Sequence, residues 1–428
     1  MKKLLALGLA AAVAAAGMGV FAGCTGNGNG DAIKVGFIAL HDDNSTYDKN
    51  FLDAIREACA NKGIPEENLI IRTGIPEENA CYDAAADLVD QGCDVIFADS
   101  FGHESYILQA AREFPDVQFC HATGTMAHTE NVSNFHNAFS HIYQGRYLAG
   151  VAAGMKLVEM YEAGQITGNK LDSEGNIKMG YVGAYTYAEV ISGYTSFFLG
   201  AKSVVEAETD VSVSMEVTFT GSWYDEQKER DGANTLITNG AALISQHADS
   251  MGAPSACESA RVPNVSYNGS TAASCPNTFI VSSRINWVPY FEYMIDCVTN
   301  GEEIATDWTG TIENNSVVLT ELGAAAAEGT QAKIDEVMAD LISGDLHVFD
   351  TSTFTVTVVT EGDNTKNVNA TVDENGRLTG YMADVNTDAA YTADTQAVAD
   401  GYFHESEYRS APYFDVQIDG ITLLNAAF

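Results

Sequence analysis

From residue 33 onward, short apolar runs alternate with stretches whose apolar residues recur every three or four positions. Lys34-Val35-Gly36-Phe37-Ile38-Ala39-Leu40 lacks polar alternation and predicts a strand buried on both faces, as parallel sheets require. A helix follows over about 47–62, then a strand at Leu69-Ile70-Ile71-Arg72. Pro76 suits a first helical turn and predicts a helix through about 91. Asp94–Ala98 is a third strand, 104–113 a helix, and Val117-Gln118-Phe119-Cys120 a fourth strand.

The alternation then repeats. An Ala/Gly/Leu-rich helix runs from Tyr143 to about Glu162. Strands at 178–183, 213–219, 242–246 and 263–267 are separated by helices at 187–206, 225–238 and 250–260. Repeated strand–helix units imply parallel sheets covered on both faces. The expected architecture is α/β, with two doubly wound Rossmann-like lobes joined by a hinge. Lobe 1 is assigned 33–136 and 268–308, with its last strand at Thr278-Phe279-Ile280-Val281 and a helix at 287–299. Lobe 2 is assigned 137–267 and 309–350. Residues 351–428 break the pattern and form a β-rich C-terminal extension. In it, Thr355–Val359 and Asn367–Val372 read as hairpin strands, and Asp373-Glu374-Asn375-Gly376 as a turn.

The N-terminus changes the picture. Lys2 and Lys3 precede a run of small apolar residues that ends in Phe21-Ala22-Gly23-Cys24. This predicts a lipoprotein signal peptide over 1–23, with Cys24 as the lipid-bearing residue. Residues 24–32 then form a Gly- and Asn-rich tether. The body is expected on the extracytoplasmic face of the cell membrane, held by its anchor. With 21 Lys and Arg against 59 Asp and Glu, the formal net charge is −38. That field repels phosphate backbones and argues against a nucleic-acid partner. Besides Cys24 there are seven other cysteines, an odd number with no CxxC pair, so free thiols are expected.

Three stretches resemble the basic membrane protein (PnrA-like) family of ABC-importer binding lipoproteins. They are Asp42-Asp43-Asn44-Ser45-Thr46-Tyr47-Asp48, Tyr147-Leu148-Ala149-Gly150 and Gly180-Tyr181-Val182-Gly183. The resemblance covers roughly 33–350. It implies a type I periplasmic binding protein fold, a small-molecule solute such as a purine nucleoside, and an ABC permease as partner. It also implies an aromatic pair around the base, with acidic residues on the sugar. By position, Asp43, Ser45, Tyr47 and Asp48 fall in the early motif, and Tyr185 or Tyr187 supplies the second ring. Asn268 stands where the family has Asp, and Arg284 where it has Lys.

Open α/β sheets bind ligands beyond their strand C-termini. The loops there add Ser100, Phe101, His103, Trp223, Asp225, Gln246, His247 and Asp249 as candidates. His103, His121 and His247 all follow predicted strands, which leaves a metal-binding receptor as a rival. A ligand-sensing lipoprotein is another. The mature chain lacks G-x-S-x-G, GxxxxGK[ST] and GxGxxG, so no catalytic site and no cofactor are assigned.

Overall fold

The computed structural model describes residues 32–362, 365–385 and 394–427. The signal peptide, the lipobox and Cys24 lie outside the described residues. No helix among the described residues is long and apolar enough to cross a membrane.

The first run comprises β1 (Val35–Ile38), α1 (Thr46–Asn61), β2 (Leu69–Arg72), α2 (Asn79–Asp90) and β3 (Val95–Ala98). It continues with α3 (Glu104–Glu113), β4 (Gln118–Ala122), the short α4 (Ala127–Glu130) and β5 (Phe135–Ser140). The second run holds α5 (Ile142–Glu162), β6 (Ile177–Gly183), α6 (Ala188–Glu208), β7 (Val213–Phe219) and α7 (Glu226–Asn239). After these come β8 (Leu243–Gln246), α8 (Gly252–Ala260), β9 (Asn264–Tyr267) and β10 (Phe279–Ile285). The chain then makes α9 (Val288–Asn300), β11 (Asp307–Gly310), β12 (Val317–Leu319) and α10 (Thr330–Ser343). The extension adds β13 (Ala370–Val372), β14 (Leu378–Ala383), β15 (Thr395–Gln396), β16 (Val398–Ala399), β17 (Tyr402–Phe403) and β18 (Ile421–Leu423).

Two large sheets result. Their orders are β11-β5-β4-β3-β1-β2 and β12-β10-β9-β8-β6-β7-β18. The pattern β2-β1-β3-β4-β5 recurs as β7-β6-β8-β9-β10, so each lobe is wound the same way. The order reverses between β1 and β3, and again between β6 and β8. Those reversals open crevices at the strand C-termini. Each sheet carries a core on both faces. One core of the first sheet joins Phe37, Phe51, Phe97, Trp287 and Phe291 under α1 and α9, and the other joins Leu88, Ile107 and Phe119 under α2 and α3. The second sheet packs α5, α6 and the extension on one face, and α7 and α8 on the other.

Several expectations are corrected. Phe279–Ile285 belongs to the second sheet, because β10 pairs in parallel with β9 (Phe279↔Asn264, Ser283↔Tyr267). The polar turn at Asn268, whose φ is +61°, leads back to the same sheet. The crossing to lobe 1 therefore comes after Ile285, where α9 packs on α1. Phe135–Ser140 is a first-sheet strand, so the first crossing follows Ser140. Pro76 lies in the loop before α2, whose N-cap is Glu78. In the extension the turn Asp373–Gly376 is present, with Gly376 at φ +76°, but it joins β13 to β14. Thr355–Val359 forms no strand; only Val359 bridges to Lys366. The seven cysteines other than Cys24 are buried and free.

α5 and α6 cross unusually closely. A methyl added to Gly150 would overlap the Phe197 carbonyl, and one on Gly200 would overlap the Tyr147 carbonyl. The Tyr-Leu-Ala-Gly stretch therefore has a packing reason: only glycine lets the two backbones touch.

Candidate functional site

The loops after β1 and β3 of one lobe face the loops after β6, β8 and β9 of the other. Ser45 caps α1, its hydroxyl accepting from the Asp48 backbone N–H at 3.2 Å. That cap seats Thr46, Tyr47 and Asp48 at the junction. The Thr46 backbone N–H and hydroxyl both donate to the Asp249 carbonyl, each at 3.0 Å, and so tie the lobes together. The Tyr47 hydroxyl donates to the Asp99 carbonyl at 2.7 Å, and its ring lies against Phe51 at 4.8 Å. Asp48 is buried and accepts from the His41 backbone N–H at 2.7 Å. A cavity of about 290 Å³ opens at this edge, lined in part by His41, Asp42, Ser45 and Tyr224.

On the facing lobe a buried cation organises the floor. Arg146 is 1% exposed. Its guanidinium donates to the Gln246 carbonyl at 3.0 Å and to His247 Nδ1 at 2.9 Å, and stacks over the Tyr267 ring at 3.3 Å. With Nδ1 accepting, Nε2 of His247 carries the proton and donates to Glu189 at 2.8 Å. Burial pushes the His247 pKa down, which keeps that neutral tautomer. The Tyr267 hydroxyl reaches Glu189 at 3.5 Å.

Carboxyl groups dominate the junction. Burial, with Asp48 alongside, raises the Asp99 pKa well above the carboxylate range. Burial, with Asp48, Glu229 and Glu189 nearby, does the same to Asp249. Burial works against ionisation of Asp48 too, but hydrogen bonds from His41 and Ser45 outweigh it and hold that pKa down. Tyr47 is pushed up by burial and by Asp99, Glu189, Tyr267 and Asp249. Four buried polar atoms here have no hydrogen-bond partner among the described residues: Asp99 Oδ2, Arg146 Nε, Asn268 Nδ2 and Ser283 Oγ. Each such atom costs about 1–3 kcal/mol unless something bonds it. The arrangement suits a polar molecule that offers both donors and acceptors, with a flat face for Tyr47.

The structure brings Tyr47, Asp48, His247, Asp249 and Asn268 together. Ser45, Phe101, Tyr185, Tyr187 and Trp223 form the rim. Tyr185 and Tyr187 stack at 5.3 Å, Trp223 meets Tyr185 edge-on at 5.0 Å, and Phe101 of the other lobe approaches Tyr187 at 5.2 Å. Other candidates lie elsewhere or have other work. Asp43 is exposed and pairs with Arg56 at 3.2 Å on the outer surface. The Ser100 hydroxyl donates to Glu77 at 2.7 Å. Asp225 caps α7, accepting from the Lys228 backbone N–H at 3.0 Å. The Gln246 amide oxygen lies 3.4 Å from Asn264 Nδ2, inside the sheet. Arg284 is half-buried on the face of β10 opposite Ser283, paired across the ladder with Val318. Its Nε is buried with no hydrogen-bond partner among the described residues, and Arg146 is a second basic residue beside the cleft. The three histidines do not converge: His103 bonds the Ile75 carbonyl at 2.9 Å, His121 the Ser100 carbonyl at 2.7 Å, and His247 bonds Glu189. Among the described residues, no three His, Cys, Asp or Glu side chains form a group able to hold a metal ion.

Asp99, Arg146, Glu189 and Tyr267 are site residues that the sequence pattern does not single out. Asp99 directly follows a strand, and Glu189 sits in the first turn of the helix after another. Arg146 is a lone charge in an otherwise apolar helical stretch. Such a charge needs partners if it is buried.

Glu229 supports the 247–250 loop from behind. It accepts from the Ser250 backbone N–H at 3.1 Å and from the Asp225 backbone N–H at 3.2 Å. Burial pushes its pKa up to about 7 against those bonds. The unfolded chain therefore holds fewer protons at this position than the folded one between the ordinary Glu pKa and about 7. Stability falls as pH rises through that window. Glu229→Gln is expected to raise the unfolding midpoint at pH 8 and to leave it unchanged at pH 4, as read by thermal denaturation at the two pH values.

Comparison with known proteins identifies the family and supports the fold. The family described as ABC transporter substrate-binding protein PnrA-like matches residues 34–349. A Haloferax volcanii protein named for ABC-transporter glucose binding is 27% identical over 261 residues, 61% of this chain and 60% of that protein. A purine-binding protein of Brucella abortus is 31% identical over 210 residues, 49% of this chain and 53% of that protein. The chain thus matches little more than half the length of either relative. An ABC transporter solute-binding protein from Conexibacter woesei has a similar fold, with a TM-score of 0.57 and 24% identity over 74% of this chain and 98% of that one. The chain belongs to the PnrA-like ABC transporter substrate-binding proteins, a family of binding proteins rather than enzymes.

Proposed function

We propose that this chain is an extracytoplasmic, lipid-anchored receptor that captures a small solute between its lobes and presents it to an ABC permease. The solute class that fits best is a purine nucleoside or a related nucleobase compound. One observation carries the reading: Tyr47 stands among Asp48, Asp99, Asp249 and Glu189 where the strand ends of both lobes meet. A flat base gains by stacking on the ring, and the carboxyl groups bond ribose hydroxyls and exocyclic amines. Three crossings, after Ser140, Ile285 and Gly310, supply a hinge on which the lobes close over the solute. The anchor reading rests on Phe21-Ala22-Gly23-Cys24 and is tested by the intact mass of the mature protein.

A hexose is the second reading. The Haloferax volcanii relative is named for glucose, and the same carboxylates suit sugar hydroxyls. A thermal-shift panel of adenosine, guanosine, hypoxanthine and glucose separates the two, because ligand stabilises only the folded state. We expect the purines to raise the midpoint by several degrees. A shift with glucose alone would transfer the assignment to hexoses. Tyr47→Ala is expected to weaken adenosine binding to the folded protein by about 1–3 kcal/mol, the scale of one base–aromatic stack, and to lower stability as well, because the ring packs on Phe51. Unchanged affinity would remove Tyr47 from the site.

A further inference from the structure

The family match ends at residue 349, yet the chain returns to the cleft some seventy residues later. β18 adds to the outer edge of the second sheet, parallel to β7, in the register Ile421↔Met215, Thr422↔Glu216 and Leu423↔Val217. The Leu424 backbone N–H then donates to the Val217 carbonyl at 2.8 Å. Asn425 extends the ladder with its side chain. Its Oδ1 accepts from the Phe219 backbone N–H at 2.7 Å, and its Nδ2 donates to the Phe219 carbonyl at 2.8 Å. Two residues on, the Thr186 backbone N–H donates to the Ala427 carbonyl at 2.7 Å, and the Ala427 backbone N–H donates to the Thr186 hydroxyl at 2.9 Å. Ala427 also lies against Gly221.

These contacts fall on two loops. Thr186 sits between the stacked Tyr185 and Tyr187, and Gly221 precedes Trp223. We propose that Ile421–Ala427 is a positioning segment that holds the Tyr185–Tyr187 and Gly221–Trp223 loops as one aromatic wall at the cleft mouth. The opposite lobe closes on that wall through Phe101. The inference rests on the cleft being the solute site. Its chemistry follows from the fixed hydrogen bonds. A loop pinned at Thr186, through both its backbone N–H and its hydroxyl, keeps two rings at one spacing, and pre-ordered rings bind a planar solute without paying to order themselves.

The test uses the full chain carrying Asn425→Ala and Thr186→Val, which deletes the side-chain bonds and leaves the strand. The protein has three tryptophans, so 5-fluorotryptophan labelling gives three fluorine resonances, and Trp223→Phe assigns one of them. The expected result is a Trp223 resonance shifted toward its solvent-exposed position, with Trp287 and Trp308 unmoved as reporters of the intact fold. Adenosine affinity should fall about five-fold, as expected for losing interactions of this kind. The milder Asn425→Asp gives the same shift at smaller amplitude and covers the case in which the double variant misfolds. An unmoved Trp223 resonance in a folded variant overturns the proposal. A moved resonance in a protein whose wild type fails to bind adenosine supports the positioning role and sinks the nucleoside reading.

Discussion

Gly150→Ala is expected to destabilise the protein by about 3 kcal/mol, toward the upper end of what overpacking costs. The added methyl meets the Phe197 carbonyl of α6, so no side-chain rotation relieves it, and the helices must separate. Gly200→Ala should cost as much, because it meets the Tyr147 carbonyl from the other side of the same crossing. The two changes share one contact, so the double variant should lose less than the sum. Separation would also displace Arg146 at the start of α5 from Glu189 at the start of α6. Urea denaturation measures all three variants. A loss under about 0.5 kcal/mol for Gly150→Ala, the range of an ordinary surface change, would show that the crossing is not as close as described.

Arg146→Met is the second large effect. The substitution keeps much of the apolar stem and deletes the buried cation. His247 Nδ1 and the Gln246 carbonyl lose their donor, the Tyr267 face loses its partner, and Asp249 loses a nearby opposite charge. Breaking a buried charge network from one side costs about 3–5 kcal/mol. Adding Glu189→Gln should cost less than it does alone, because Arg146 and Glu189 bond the same imidazole, His247, at its two ring nitrogens. Denaturant unfolding of the single and double variants reads both numbers. A double variant as unstable as the sum of the singles would mean that Arg146 and Glu189 act independently.

Much of the fold was legible because buried parallel strands leave unbroken apolar runs, and the helices between them keep an apolar face. Val213–Phe219 matches its predicted strand in full, and α1 begins one residue from its predicted start. The errors lie where local chemistry serves two outcomes. The turn at Asn268 looks the same whether the chain changes lobe or returns to its sheet, and only pairing with β9 decides. β18 is three residues long and takes its strand form from β7, so nothing local announces it. At the site, Tyr47 and Asp48 in the first turn of α1 were readable from the family motif that ends in them. Asp43 was misplaced because it lies in the exposed turn before α1, whereas Asp48 is buried in the first turn of that helix. Arg146 was hidden by its own helix: period alone marks which residues are buried, not which buried residue is charged. The metal reading of the histidines failed for the same reason, since three strand ends in sequence are spread across two sheets in space.

The central claim is that a solute is held between the two lobes and touches both. Hydrogen–deuterium exchange with and without adenosine tests it most directly. The account predicts added protection at Leu40–Lys49 and Asp99–His103 on one lobe, together with Tyr185–Glu189 and His247–Met251 on the other. Protection confined to one lobe, or to segments away from these strand ends while adenosine is bound, would contradict it.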